Sequence, residues 1–276
     1  MIETVAIVGM GLMGGSLGRA LRARRLARHV VGIDRQAEAR RGALEVGAAD
    51  RTTTELDGVR EADLIVLATP VPTLPALLAH LVPYVGPHAL LTDLGSVKAR
   101  IVEAGERLYG TRFIGGHPMA GSEQSGIESS RADLFQGAAW AIVRSTPVAL
   151  DTDGEARRLH ELAIALGARP VLLNAAQHDR LVALVSHLPH LLSFAFAHTV
   201  QSHDSEAVAR QLAGGSFRDM IRVAASDPAL WQGIFAENRS ALLDSLSAYQ
   251  TRLRMLQETL EREDWHALLA LLEKPA

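Results

Sequence analysis

The chain has 276 residues, 48% of them hydrophobic, with 28 basic and 31 acidic side chains and a net charge of −3. That length and balance suit a soluble globular protein of two ordinary domains and give no electrostatic footprint for nucleic acid. There is no cysteine, so disulfides, thiolate nucleophiles and cysteine-ligated metals are excluded; with no unbroken apolar run of roughly 18 residues and no basic leader before the first strand pattern, neither a membrane partner nor secretion is expected, and the location is read as cytoplasmic.

The first element is an apolar run, Val5-Ala6-Ile7-Val8, which meets Gly9-Met10-Gly11-Leu12-Met13-Gly14. A helix pattern through Leu17, Ala20 and Leu21 follows, and Val30-Val31-Gly32-Ile33 reads as a second buried strand ending at Asp34. In a dinucleotide site Gly9 permits the tight turn, Gly11 lets the backbone approach a pyrophosphate and Gly14 lets the helix pack on the sheet. The phosphates would sit over the first-turn N–H groups of Leu12 and Met13, at a helix N-terminus. Asp34 stands about 20 residues beyond the last glycine, where a carboxylate accepts from the ribose hydroxyls and favours NAD. Arg35 beside it keeps NADP open as a secondary cofactor, because a guanidinium pairs with a 2′-phosphate.

Strand and helix patterns then alternate: a helix over Ala37–Val46, a strand over Ala62–Ala68, a helix after Thr73, a strand over Ala89–Asp93 and a helix from Val97. Later strands are predicted at Arg112–Gly115, Ala138–Val143 and Pro170–Leu173, with a helix over Asp153–Leu166. This rhythm predicts an α/β Rossmann-type, doubly wound parallel sheet occupying residues 1–173. From Asn174 the apolar spacing turns to 3.6, predicting an all-α domain over 174–276. Its first helix runs to about Val200 and should kink at Pro189, which frees the carbonyl of Val185. A last long helix starts at Ser226-Asp227-Pro228, and in it Leu242, Leu246, Tyr249, Leu253, Leu256 and Leu260 recur in steps of four and three. Such a seam either joins two copies as a homodimer or packs on its own domain.

Ligands of open α/β sheets bind beyond the carboxyl ends of the strands. Three loops there are unusual: Thr69-Pro70-Val71-Pro72, Asp93-Leu94-Gly95-Ser96-Val97-Lys98, and Gly115-Gly116-His117-Pro118-Met119-Ala120-Gly121-Ser122-Glu123. Thr69 and Pro70 fall at the cofactor edge. His117, which titrates near neutrality, is the candidate acid or base. Ser96 either hydrogen-bonds His117, cofactor or substrate, or caps the next helix. Lys98 either meets an anion or points to water. In the helical half, Ser186, His187 and His190 share a helix face, suited to a substrate hydroxyl or anion; no carboxylate completes a metal set, and no metal is expected. Arg218, Asp219 and Arg222 precede Trp231; Arg222 either holds a carboxylate or forms a surface salt bridge.

Taken in order, Val8 to Leu17, Asp93 with Gly95-Ser96-Val97-Lys98, Gly116 to Gly121 with Glu123, Ser186 to His190, Phe217-Arg218-Asp219 with Arg222, Ser226-Asp227-Pro228 and Trp231 resemble the prephenate/arogenate dehydrogenase family of tyrosine biosynthesis over essentially the whole chain. The resemblance implies His117 as catalytic histidine with Ser96 as its partner. It implies Arg222 for a substrate carboxylate, with Glu123 and Asp219 as ionic neighbours, His190 as a second substrate contact, and Trp231 as a residue that reaches the active site from the other subunit. The implied reaction is oxidative decarboxylation of prephenate with NAD; arogenate is the alternative substrate. Some members carry a fused mutase or a regulatory ACT domain. With this chain ending at Ala276, feedback by tyrosine is expected to act at the active site.

Overall fold

The computed structural model describes residues 1–121, 124–203 and 206–273. Strands β1 (Ile2–Val8), β2 (Ala27–Ile33), β3 (Arg51–Thr53), β4 (Leu64–Leu67), β5 (Leu90–Asp93), β6 (Phe113–Pro118), β7 (Ala139–Arg144) and β8 (Arg169–Asn174) form one sheet in the order β3-β2-β1-β4-β5-β6-β7-β8. β4, β5 and β6 are buried throughout, which is why β4 reads as an unbroken apolar run and β5 and β6 begin as apolar pairs rather than alternating. The order reverses between β1 and β4, and this switch point opens a crevice at the strands' carboxyl ends.

The sheet is not wholly parallel, as the alternation predicted. β6 and β7 run antiparallel, with His117 opposite Ala141 and Pro118 opposite Trp140. Among the described residues their connection has no helix to carry the chain back to the start of β6, so β7 starts where β6 ends. His117 therefore lies on the last rungs of a strand, not in a loop. The connection is anchored by Ile127, which fills a notch where Cβ atoms at Gly15 and Gly42 would come within 2.3 Å and 2.5 Å of it.

Helices α1 (Leu12–Ala23), α2 (Ala37–Glu45), α3 (Leu74–Leu81), α4 (Ala99–Tyr109) and α5 (Gly154–Ala165) cover both faces of the sheet. One apolar core gathers Leu17, Leu21, Phe135 and Leu159, the other Leu74, Leu78, Ile101 and Phe113. After β8 the Asn174 side chain accepts from Gln177 N while Gln177 reaches back to Asn174 N, a capping box that starts α6 (Ala175–Val182). One π-helical turn, Ala183–His187, joins α6 to α7 (Leu188–Gln201). That turn is how the predicted Pro189 kink is realised: proline offers no N–H to Val185, and the extra residue in the turn absorbs the mismatch.

α8 (Glu206–Gln211), α9 (Gly215–Ala224), α10 (Pro228–Glu237), α11 (Arg239–Glu261) and α12 (Trp265–Leu272) complete the chain. The long helix expected from Ser226 is two helices, broken at Asn238 (φ −110°, ψ 29°). Of the leucine seam, Leu242 is buried within the chain, whereas Leu253 and Leu260 are 46% and 52% exposed. Leu181, Leu184 and Val185 add uncovered apolar surface near the π turn. By length and composition alone the segment Ala175–Gln201 would cross a bilayer; its buried His178, Asp179 and His187 instead face the sheet domain and the Asn238 break.

Candidate active site

At the β1–β4 crevice Gly9 takes φ +101°, and a Cβ there would meet the Ala68 carbonyl at 2.7 Å. A Cβ at Gly14 would lie 1.9 Å from the Gly9 carbonyl oxygen, so Gly14 sets how closely α1 approaches the turn. Above Gly11 there is open space within 4 Å, and no side chain caps α1, so its first-turn N–H groups at Leu12 and Met13 face a ligand position. Asp34 accepts from Met10 N at 2.8 Å and from Gln36 N at 2.9 Å, which fixes its carboxylate across the turn with one lone pair left on each oxygen. Arg40 holds the carbonyls of Asp34 and Arg35, while the Arg35 side chain is exposed. Thr69 Oγ1 is 2.8 Å from Thr73 Oγ1, which itself donates to the Pro70 carbonyl. The Thr69 hydroxyl must therefore donate to Thr73, leaving it as an acceptor at the crevice. These features fit a dinucleotide.

His117 is 8% exposed, and its Nδ1 lies 2.9 Å from His178 Nε2; His178 Nδ1 lies 2.8 Å from Asp179 Oδ1. The proton positions follow from the end of this chain. A carboxylate only accepts, so His178 carries its proton on Nδ1 and presents a bare Nε2. His117 must then donate through Nδ1, which leaves His117 Nε2 with a free lone pair. Burial, then the neighbouring His178, Lys98 and His187, hold the His117 pKa well below its ordinary 6.5. Burial also lowers His178, against the opposing hydrogen bond to Asp179. For Asp179, burial pushes upward, but the His178 bond and the N–H groups of Ala99 and Lys98 together hold it below the usual carboxylate range.

The relay is braced from both sides. Asp179 accepts from Lys98 N and Ala99 N, each at 2.8 Å, and so caps α4 from another element. Ser96 is therefore not the cap; its residue is half-buried just ahead of the helix start. Lys98, expected to meet an anion or water, is fully buried against Asp93 and donates to the Gly116 carbonyl at 2.9 Å. Asp93 also accepts from Gly95 N and Gly116 N. The pair clamps the residue before His117 and fixes the plane of its ring.

From the helical side, Trp231 is buried and stacks on His190 at 3.6 Å and 21°, with His187 edge-on at 6.0 Å and 77°. The resemblance implied a tryptophan arriving from the other subunit; here Trp231 packs on His190 of its own chain. His190 Nδ1 is 2.9 Å from the Ser186 carbonyl, so that nitrogen donates and the neutral ring offers Nε2 as an acceptor. Burial lowers the His190 pKa, against that bond. Arg222, by contrast, stands 59% exposed, 4.0 Å from the exposed Asp219. It lines an open groove of about 530 Å³ with Phe217, Arg218 and Ile221. Glu123 lies outside the described residues.

His178, Asp179 and Asn238 escaped the sequence reading. A signal existed for the first two: the buried face of α6 carries Ala175, His178, Asp179 and Val182, a helical stripe with a polar pair at its centre.

A sheet with a dinucleotide turn at its switch point, a neutral histidine at the carboxyl end of β6, two strands beyond β4, and a helical second domain defines a dinucleotide-dependent dehydrogenase. Comparison with known proteins narrows this class. Residues 17–170 match the family model for the prephenate dehydrogenase nucleotide-binding domain, and residues 174–274 the model for the prephenate dehydrogenase dimerization domain. The chain is 33% identical to the prephenate dehydrogenase of Bacillus subtilis over 272 residues, 96% of this chain and 72% of that one. It is 33% identical to the cyclohexadienyl dehydrogenase of Zymomonas mobilis over 96% of this chain and 91% of that one. A crystal structure of A. aeolicus prephenate dehydrogenase with hydroxyphenyl propionate and NAD+ superposes with a TM-score of 0.88 at 32% identity, covering 99% of this chain and 95% of that one. The chain belongs to the prephenate dehydrogenase family.

Proposed function

We propose that the chain converts prephenate to 4-hydroxyphenylpyruvate by NAD-dependent oxidative decarboxylation, with His117 Nε2 as the proton acceptor. The observation that carries this is the Asp179–His178–His117 relay, which holds a neutral imidazole with its lone pair free beside the crevice. Gly9, Gly11, Gly14, Leu12, Met13, Asp34, Thr69 and Pro70 would hold NAD, which when bound would supply the acceptor for the hydride from ring carbon C4. His117 takes the C4 hydroxyl proton as that carbon becomes a carbonyl. Positive charge on His117 is shared through Nδ1 with His178 and stabilised by the Asp179 carboxylate. Loss of CO₂ from C1 then returns an electron pair to the ring oxygen, which recovers a proton and completes the aromatic ring. The atoms balance as prephenate and NAD giving hydroxyphenylpyruvate, CO₂ and NADH.

Ser96 orients the C4 hydroxyl, and His190 is assigned a second contact with the substrate. Ser186 acts through its carbonyl on the His190 ring. Arg222, with Asp219 and Glu123 as ionic neighbours, is assigned to a substrate carboxylate. Its position in an exposed groove of the dimerisation domain supports a role at the join with a second copy. Homodimerisation through the C-terminal helices covers the exposed Leu253 and Leu260. The reading includes a cytoplasmic location for the enzyme.

Arogenate, with an amino in place of the keto side chain, is the second reading, favoured by the likeness to a cyclohexadienyl dehydrogenase. Offering each substrate separately with NAD and identifying the product by chromatography tests the assignment. Hydroxyphenylpyruvate from prephenate supports it; tyrosine from arogenate alone replaces it.

A further inference from the structure

His187 is fully buried, yet its Nε2 has no hydrogen-bond partner among the described residues. Its other nitrogen, Nδ1, lies 3.1 Å from Asn238 Nδ2. The orientation of that amide is settled by its second contact, because Nδ2 also lies 2.8 Å from the Asp179 backbone carbonyl, which can only accept. The NH₂ group therefore spends one hydrogen on Asp179 and points the other at His187. His187 Nδ1 must accept, and the ring proton sits on Nε2; the ring as a whole packs edge-to-face with the Trp231 indole, whose plane stacks on His190.

We infer that Asn238 is a positioning residue for the reaction: it locks His187 in the Nε2–H tautomer, and that ring pins Trp231 against the substrate-side ring of His190. Asn238 occupies the break between α10 and α11, and the neighbouring Glu237 is tied to Arg100 of α4 at 3.1 Å, so the amide is held in place by the sheet domain. The edge-to-face contact of His187 with Trp231 is weak in itself, but it lies at the end of the stack that Trp231 makes on His190, the ring assigned to the substrate. The break that interrupts an otherwise continuous helix thus has a job at the site. The titratable groups that act on His187 are Asp179 and His178 of α6 and His190 of α7.

The inference rests on the dehydrogenase reading for its kinetic readout alone; the tautomer is read independently. In the full-length ¹⁵N-labelled protein, long-range ¹H–¹⁵N NMR reports which His187 nitrogen carries the proton, with the His187→Gln spectrum identifying the signal. The expected result is a proton on Nε2 in the wild type. In Asn238→Asp a carboxylate faces Nδ1 and draws a second proton onto the ring near neutral pH. Kinetically, Asn238→Asp and His187→Asn should raise KM for prephenate about tenfold with kcat nearly retained, whereas His187→Gln, whose amide N–H reaches the Nε2 position, should restore KM. A wild-type proton on Nδ1, or equal KM values for His187→Asn and His187→Gln, overturns the inference, and does so whichever substrate proves to be the natural one.

Discussion

Replacing Asp179 with asparagine exchanges one oxygen for an NH₂ group and attacks both halves of the account. The carboxylate accepts three hydrogen bonds at 2.8 Å, from Lys98 N, Ala99 N and His178 Nδ1. Asparagine has a single acceptor oxygen, so in either amide orientation an NH₂ group faces at least one N–H donor. One unpaired donor at this depth costs about 1–3 kcal/mol. For a chain of this size that lowers the melting temperature by roughly 2–4 °C per kcal/mol. The rate should suffer more. With the NH₂ turned to His178, that ring becomes an acceptor at Nδ1 and a donor at Nε2. His117 must then accept at Nδ1 and carry its own proton on Nε2, the nitrogen that has to be bare. Loss of a general base positioned in this way typically costs ~10²- to 10⁴-fold. Steady-state NADH formation with prephenate should therefore show a fall in kcat of that order with KM little changed, in protein that still melts cooperatively. If the amide instead turns its oxygen to Lys98 and His178, the tautomers persist and Ala99 N alone is unpaired, so the refuting result is an unchanged kcat in a folded Asp179→Asn whose His178 carries its proton on Nε2.

Asp34→Ala removes the acceptor for the ribose hydroxyls and should weaken NAD binding relative to NADP by about tenfold, read by titration of each nucleotide; an unchanged ratio sinks the ribose assignment. Arg222→Ala should raise KM for prephenate by roughly 10²-fold, the worth of a charge-assisted carboxylate contact, with dimerisation intact by light scattering. Intact affinity with dissociated subunits would make Arg222 an interface residue. Acid should destabilise the fold through its buried histidines. His117, His178 and His187 all sit below their ordinary 6.5, His187 at about 4, so the unfolded chain binds protons that the folded one refuses. Their contribution is complete above about pH 6.5 and is lost as pH falls below it, levelling off under each folded value; for His187 alone this is about 3 kcal/mol. Urea midpoints that stay constant between roughly pH 7.5 and 5 would contradict the buried neutral state.

The cofactor half of the molecule was legible because local backbone demands wrote it into the sequence. Gly9 and Gly14 stand where no side chain fits, and Asp34 ends a strand at the spacing a ribose requires. His117 was visible as a titratable residue among glycines, but its tautomer was not, since that depends on His178, 61 residues away. The antiparallel β6–β7 pair was hidden for a similar reason: strand direction depends on where the connection returns, and apolar patterning carries no sign of it. Ser96 misled because Gly-Ser-Val-Lys has the composition of a cap, while the true cap, Asp179, arrives from α6. Asn238 gave no signal at all, because a single asparagine inside a helical pattern looks like a surface residue until its amide is seen between Asp179 and His187.

The most direct test of the central claim is the initial rate of NADH formation from prephenate and NAD, measured for the wild type beside His117→Ala with NAD affinity determined for both. The account predicts a wild-type rate that collapses by ~10²-fold or more in the variant while NAD binds equally well. Equal rates in the two proteins would remove His117 as the base and, with it, the role of the relay behind it.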